Sequence, residues 1–253
     1  MARLTSLLLS FALASSQAVL AADRTLAAEG DCIARTKNGD KPLSHWQLWH
    51  LSDGNYEVVD TSAKIASSVQ IFRFDSQFLP VGYTLKFGPL SVPQIPNFPT
   101  FPGQTISCEY QTTKLICRGE SSEGRKSTTS IAVKPPYVFT GEFYDLDLVW
   151  FMTGVVRLAA RNGANDGVVN VYVLTDGAKA GDTGLKPDVP MKIVFKGEET
   201  TQVMGKTQVV KKYEWGSRAL RVSKQGLVLS MRSGQVVYAI SGYKEYEPWG
   251  PIR

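Results

Sequence analysis

The residues best suited to metal or acid–base chemistry are few, since the 253-residue chain has two histidines and three cysteines. His45 and His50 lie five positions apart in an aromatic and aliphatic segment that predicts a β-strand. Successive side chains of a strand alternate between its faces, so these two point to opposite faces and cannot share a metal ion. With no zinc-type cysteine spacing either, the sequence predicts no metal site and no cofactor.

Motifs for nucleophilic and phosphate chemistry are incomplete. The segment GESSEG (119–124) lacks the spacing of a nucleophile elbow and lies in a polar stretch. Gly205-Lys206-Thr207 resembles the end of a phosphate-binding loop, but Thr200 replaces the required earlier glycine and no helix is predicted to follow. Asp145 and Asp147 form a carboxylate pair that a helix start explains more simply. We therefore predict no catalytic residue and no enzyme.

Two of the cysteines are placed to bond with each other. If Thr112 and Thr113 form a two-residue turn, Cys108 faces Cys117 across a hairpin, at a non-hydrogen-bonded site where side chains approach closely. An oxidising compartment favours the bond, and the alternative is three free thiols. Cys32 has no assigned role.

The amino terminus predicts export. Residues 1–21 combine Arg3, an uncharged Leu- and Ala-rich stretch, and small residues at positions 19 and 21, as in a cleaved signal peptide. The alternative, an uncleaved anchor, is disfavoured because the stretch is short and interrupted by serines. We predict a periplasmic or extracellular protein with a single β-rich domain over residues 22–253.

The charge of the chain is mild. Its net charge is +5, of which Arg3 leaves with the signal peptide. Basic residues are concentrated between Lys186 and Arg232, but they alternate irregularly between predicted strand faces and form no single stripe. We therefore predict no nucleic-acid partner, whereas peripheral association with a membrane stays open.

Short runs of Val, Ile, Tyr, Phe and Trp, separated by Gly, Asn, Asp and Ser, indicate about a dozen strands. The clearest hairpin joins 45–51 to 56–60 through the turn Ser-Asp-Gly-Asn. Strands with short links favour an antiparallel sheet that is curled or closed. The predicted fold is mainly β: a curled half-barrel wrapped around one amphipathic helix.

That helix is predicted over 145–163, with Asp145 as its N-cap and Gly163 at its end. On a helical wheel, its polar residues form a stripe of about 120° and the rest is apolar. The apolar two thirds must be covered, and the concave face of the sheet is the expected cover. Trp150 falls inside the polar stripe and is expected to be partly exposed.

The segment 91–103 carries prolines at every third position, the period of a polyproline II helix. One of its edges would present Ile95, Phe98 and Phe101. The segment is either a loop packed on its own domain or a strap that covers a ligand or holds a partner. We take these three residues and Trp150 as candidate ligand-binding residues at the mouth of an apolar pocket.

Element order and turn placement over 44–246 resemble the exported β half-barrels of the lipoprotein-carrier (localisation factor) superfamily and its relatives of unknown function. The resemblance rests on WQLWHLSDGNYEVVD, FLPVGYTLKFG, the helix with a downstream arginine, IVFKGEETTQVMGKTQVVKKYEW and LVLSMRSGQVVYAISGYKEY. It implies an apolar concave face, on which carrier members hold acyl chains.

Three functions are therefore considered. The first is a non-catalytic envelope protein that binds an apolar or acyl ligand on the concave face. The second is a scaffold or assembly factor that binds another envelope protein through segment 91–103 or a sheet edge. The third, a hydrolase with an unrecognised site, is the least favoured. If the helix fills the concave face, the second function becomes the better interpretation.

Overall fold

The computed structural model describes residues 24–62, 68–87, 104–140, 148–161, 166–174, 185–187, 190–203 and 205–250. These residues form sixteen β-strands and one α-helix. The strands belong to one curled, unclosed sheet, and the helix lies on its concave side. The predicted fold class is confirmed.

The strands are β1 (Arg24–Thr36), β2 (Gly39–Leu51), β3 (Tyr56–Ser62), β4 (Val69–Phe74), β5 (Pro80–Phe87), β6 (Gln104–Tyr110), β7 (Lys114–Ser121), β8 (Lys126–Ala132), β9 (Tyr137–Thr140), β10 (Gly167–Leu174), β11 (Leu185–Pro187), β12 (Met191–Val203), β13 (Lys206–Trp215), β14 (Arg218–Val222), β15 (Val228–Ser233) and β16 (Val236–Glu245). The helix, α1, spans Leu148–Ala159 between β9 and β10. The hairpin predicted from 45–51 and 56–60 is formed by β2 and β3.

The order of the strands defines where the sheet ends. From β12 to β16 the strands follow in sequence, then come β1 and β2, and the order continues to β8, which is the last strand at that end. At the other end, Tyr172 of β10 pairs with Pro187 of β11 and with Phe139 of β9. A strand residue has one neighbour on each side, so β9 lies on the opposite side of β10 from β11. Among the described residues, β8, β9 and β11 therefore each pair with a single strand, and beyond Ile193 β12 pairs only with β13.

The sequence analysis missed β1, which is central to the sheet. It lies between β2 and β16 and so joins the beginning of the described chain to its end. Its alanines and Gly30 are poor indicators of a strand. Gly30 is needed there because a Cβ atom would lie 2.7 Å from the Trp46 ring and 3.2 Å from the Ser241 carbonyl oxygen.

The expectation that Trp150 is partly exposed is wrong, because its side chain is 0 % exposed. Two further residues of the polar stripe, Thr153 and Gly154, are covered as well. Thr153 is also fully buried, donates a hydrogen bond to the Val149 carbonyl (2.7 Å) and accepts one from the Val228 N–H of β15 (3.0 Å). Gly154 packs so tightly against Pro80 that a Cβ atom would lie 2.9 Å from its ring. The predicted helix is confirmed for Leu148–Ala159, and Asp145 and Gly163 lie outside the described residues.

No helix in the described ranges has both the length and the apolar character that crossing a bilayer requires.

Candidate functional site

Aromatic side chains of the helix and the sheet fill the middle of the concave face. Trp46 and Trp150 pack edge to face with ring centroids 5.0 Å apart, and Phe74 stacks on Phe78 at 4.4 Å. Trp249 contacts Phe78 at 5.0 Å and is 4 % exposed. These five rings form the aromatic core, and they occupy the space in which the sequence analysis expected a ligand.

Strand β9 lies on the concave side of the sheet, next to the helix. Its Phe139 is 1 % exposed and packs edge-on against Tyr83 of β5 at 5.3 Å. The edge backbone of β9 is hydrogen-bonded by a side chain: the Tyr110 hydroxyl accepts from the Phe139 N–H (3.0 Å) and donates to the Phe139 carbonyl (3.2 Å). Tyr137 donates to the Gln111 carbonyl (2.6 Å) in the β6–β7 turn. The β9 edge is therefore covered from within the curl.

Replacing Tyr110 with phenylalanine tests this edge cover. The substitution leaves the buried N–H and C=O of Phe139 without their partner, so we expect the free energy of unfolding to fall by about 1–3 kcal/mol. The matched control is Tyr246→Phe, which removes an exposed hydroxyl that donates to Glu29 (2.6 Å). Urea unfolding measures both. A Tyr110 variant no less stable than the Tyr246 variant would contradict the proposed role.

The bond predicted between Cys108 and Cys117 is confirmed: the two residues are directly opposed and joined as a disulfide, with Cα atoms 4.1 Å apart. Both side chains are buried on the concave face. Cys32 is also buried, and faces Ser44 across β1 and β2. The disulfide closes the hairpin that carries Tyr110, so it holds together the part of the sheet that covers β9.

Removing this bond should lower the free energy of unfolding by about 2–3 kcal/mol, because the unfolded chain regains the freedom of the closed loop. The test is urea unfolding with and without reductant, for the native chain and for a Cys108→Ser, Cys117→Ser variant. Reductant should destabilise only the native chain. Peptide mapping that joins Cys32 to either partner would show the pairing to be wrong.

The histidines lie on opposite faces of β2, as predicted. His45 Nδ1 is 2.9 Å from the Asp31 carboxylate on the exposed face, whereas the His50 ring stacks on the buried Tyr56 at 4.9 Å. His50 Nδ1 is also 3.4 Å from the Glu247 carboxylate. Within the described ranges, no three His, Cys, Asp or Glu side chains come together as a metal site would require.

The sequence analysis did not identify one buried acidic residue. Asp60 of β3 is 2 % exposed and lies on the concave face, between Trp46 of β2 and Gln70 of β4. Burial raises the pKa of its carboxyl to about 7, and the nearby Ser44 hydroxyl and His45 lower it less. Ser44 is close, but no hydrogen bond of good geometry forms, so burial prevails. A pKa near 7 suits proton transfer, yet this carboxyl is sealed from any substrate.

The side of β8 that faces away from β7 is the candidate binding site. Cys117 lies at a non-hydrogen-bonded position of the β6–β7 pair. Its N–H and C=O therefore point to β8, where they form hydrogen bonds with Thr129. By alternation, the backbone groups that point away from β7 belong to Lys126, Thr128, Ser130 and Ala132, which we call the β8 edge. Their side chains are all exposed. No described strand pairs with this side of β8.

Natural sheets protect an edge strand with proline, a bulge or charged side chains. From residue 127 to 132 β8 has none of these: the sequence is Ser-Thr-Thr-Ser-Ile-Ala, and its pairing with β7 is regular. The charged residue at its start is Lys126, whose ammonium group lies 3.6 Å from the Glu120 carboxylate. An unprotected edge of this length can accept an extended segment as an added strand.

A cleft of about 380 Å³ adjoins the carboxyl end of β8, and we call it the end cleft. It is lined by Ala132, Val133, Lys134, Asn170, Val171, Tyr172 and Pro190. Trp150 does not line the end cleft. Ile95, Phe98 and Phe101 lie outside the described residues. The ligand-binding role predicted for these four residues stays a prediction. Sequence alone could not find the cleft, because it joins residues almost sixty positions apart.

Comparisons with known proteins give only a distant structural likeness. No protein-family model matches the chain. No curated protein matches it either. A similar solved structure is the β-barrel-like protein of domain of unknown function DUF1849 from Brucella abortus, with a TM-score of 0.47 and 11 % sequence identity over 89 % of this chain and 100 % of that one. The described strands establish the β half-barrel without it.

Proposed function

We propose that this chain is an exported, non-catalytic envelope protein that holds an extended segment of another protein at the β8 edge. The single observation that carries the proposal is the contrast between the β8 edge and the β9 edge. The β9 edge is buried and hydrogen-bonded to Tyr110. No described strand pairs with the β8 edge, and from residue 127 to 132 β8 lacks the usual protective residues.

The filled concave face favours this function over an acyl carrier of the kind suggested by the resemblance to the lipoprotein-carrier superfamily. The aromatic core and β9 occupy the face on which such a protein holds its ligand. A binding partner at the edge needs no cavity in the centre, because the added strand gains its affinity from main-chain hydrogen bonds.

Export is part of the proposal. A disulfide between Cys108 and Cys117 is stable in an oxidising compartment, which agrees with the predicted signal peptide. The intact mass of the protein purified from its native envelope should correspond to a start at Ala22 or Asp23. A mass that retains Met1 would contradict cleavage.

The binding function is tested by cross-linking in the native cell. A photo-reactive amino acid replaces Thr128, whose exposed side chain lies on the β8 edge, and cross-linked proteins are identified by mass spectrometry. The edge is then blocked with Ser130→Pro, which removes one outward N–H without breaking a β7–β8 hydrogen bond. Ser130→Ala is the matched control, because it removes the hydroxyl and keeps the N–H.

We expect one envelope protein to be cross-linked in the native chain and in the alanine variant, and lost in the proline variant. Circular dichroism and thermal unfolding establish that the proline variant is folded. Equal cross-linking in the alanine and proline variants would overturn β-strand addition at this edge.

A further inference from the structure

The end cleft has an unusual distribution of hydrogen-bonding groups. Lys134 lines it and is exposed, and its ammonium group has no carboxylate partner among the described residues. The Tyr172 hydroxyl accepts a hydrogen bond from the Lys134 N–H (3.1 Å), which leaves its own proton without an acceptor in the described structure. The cleft is therefore lined by a cationic residue and by a tyrosine whose hydroxyl proton has no acceptor in the described structure, and no acidic residue lines it.

The remaining walls of the end cleft are mainly apolar, formed by Ala132, Val133, Val171 and Pro190. Its volume of about 380 Å³ lies at the lower end of the range for ligand pockets, about 300–1,000 Å³. Apolar walls beside unused donors fit an apolar group that carries an anionic oxygen. The Asn170 amide is already used, since its Nδ2 donates to the Lys134 carbonyl (2.7 Å).

The position of the cleft identifies which part of a partner would enter it. The end cleft begins at Ala132, the last residue of the β8 edge, and continues through Val133 and Lys134. A segment paired with β8 and running parallel to it would reach the cleft with its carboxyl end. The α-carboxylate is the anion that every chain end carries, and backbone-bound extended segments are captured in this way in other peptide-binding folds.

We propose that the end cleft binds the carboxyl terminus of the partner chain: its last side chain is apolar and fills the cleft, and its α-carboxylate meets Lys134 and the Tyr172 hydroxyl. This rests on the proposed function, because the β8 edge aligns the segment. A partner whose binding segment is internal would leave the two donors unused.

The test uses a synthetic peptide of eight residues, alternating valine and threonine and ending in leucine, as the free acid and as the carboxyl-terminal amide. Binding to the full mature chain is measured by isothermal titration calorimetry. We expect the acid to bind roughly tenfold more tightly than the amide, as charge-assisted hydrogen bonds to a carboxylate predict. Added salt should weaken the binding of the acid and leave the binding of the amide unchanged.

Lys134→Met removes the charge and keeps most of the apolar stem, so it should lower the affinity of the acid to that of the amide. The matched control is Lys126→Met, at the opposite end of β8, which should preserve the difference between acid and amide. Both substitutions are at exposed positions, and circular dichroism establishes that the two variants fold.

The outcomes separate this inference from the proposed function. If Ser130→Pro weakens the binding of both peptides, but the acid and the amide bind the native chain equally, strand addition holds and carboxylate capture is overturned. If Ser130→Pro leaves the affinity of the acid unchanged, strand addition is overturned. If neither peptide binds at millimolar concentration, the inference fails, and the cross-linking experiment still tests the edge independently.

Discussion

Replacing Trp150 with alanine should lower the free energy of unfolding by about 3–5 kcal/mol, the range for removing a large aromatic side chain from a packed core. The indole is fully buried, and its ring centroid lies 5.0 Å from that of Trp46 and 6.3 Å from those of Phe74 and Trp249. Its removal leaves a cavity between the helix, β2, β4 and the segment that follows β16. Guanidinium or urea unfolding, followed by far-ultraviolet circular dichroism, measures the loss.

The matched control for Trp150 is Trp215→Ala. Trp215 is the last residue of β13, is partly exposed at the margin of the core, and has the Arg218 guanidinium 4.1 Å above its ring. The substitution removes this cation–π contact, which contributes about 0.5–1 kcal/mol, and only part of a buried ring, so the loss should be smaller than at Trp150. Equal losses at the two positions would contradict the assignment of Trp150 to the centre of the core and would restore the exposed position that the helical wheel predicts.

Replacing Asp60 with asparagine should change how stability depends on pH. In the unfolded chain an aspartate ionises near its ordinary pKa of 3.8, whereas burial raises the folded pKa to about 7. Below about pH 4 the Asp60 carboxyl is protonated in both states, so no stability is lost to burying a charge. As the pH rises from 4 to 7, only the unfolded state loses its proton, so the native protein becomes less stable, and above 7 the penalty is constant.

The penalty that Asp60→Asn removes is up to roughly 4 kcal/mol above pH 7, from about 1.4 kcal/mol for each unit of pKa difference. Because the asparagine amide has its own constant cost of burial, the quantity to measure is the change with pH. Urea unfolding between pH 4 and pH 8 should show the variant gaining stability relative to the native protein as the pH rises. Asp40→Asn, at an exposed position near Arg35, is the control. A constant difference between Asp60→Asn and native protein would contradict the raised pKa.

Local pattern was enough to predict much of this molecule. Alternating apolar residues and a Ser-Asp-Gly-Asn turn predict the β2–β3 hairpin, and the spacing around Thr112 and Thr113 predicts the Cys108–Cys117 pair. Both depend on residues close in sequence. In each case the turn sets the register and the register decides which side chains meet.

Features that depend on distant residues were not predictable in this way. In strand β1, Gly30 must accommodate the Trp46 ring, and that requirement is invisible in its own segment. The helical wheel separates polar from apolar residues of α1, but it does not show that Pro80 and Val228 cover the polar side as well. The raised pKa of Asp60 likewise results from its neighbours on β2 and β4.

The candidate site itself depends on which strands end the sheet. Nothing in the sequence of β8 says that no strand lies beyond it, since Ser-Thr-Thr-Ser-Ile-Ala suits a central strand equally well. The distinction comes from the topology, in which the chain turns inward after β8 and places β9 beside the helix and next to β10.

Amide hydrogen exchange along β8, resolved residue by residue by NMR, tests the central claim most directly. In the free protein, the N–H groups of Thr128 and Ser130 should exchange rapidly because they point to solvent, while that of Thr129, bonded to β7, should exchange slowly. With the partner segment bound, Thr128 and Ser130 should become protected as well. Slow exchange of Thr128 and Ser130 in the free protein, or no added protection on binding, would contradict a partner strand at the β8 edge.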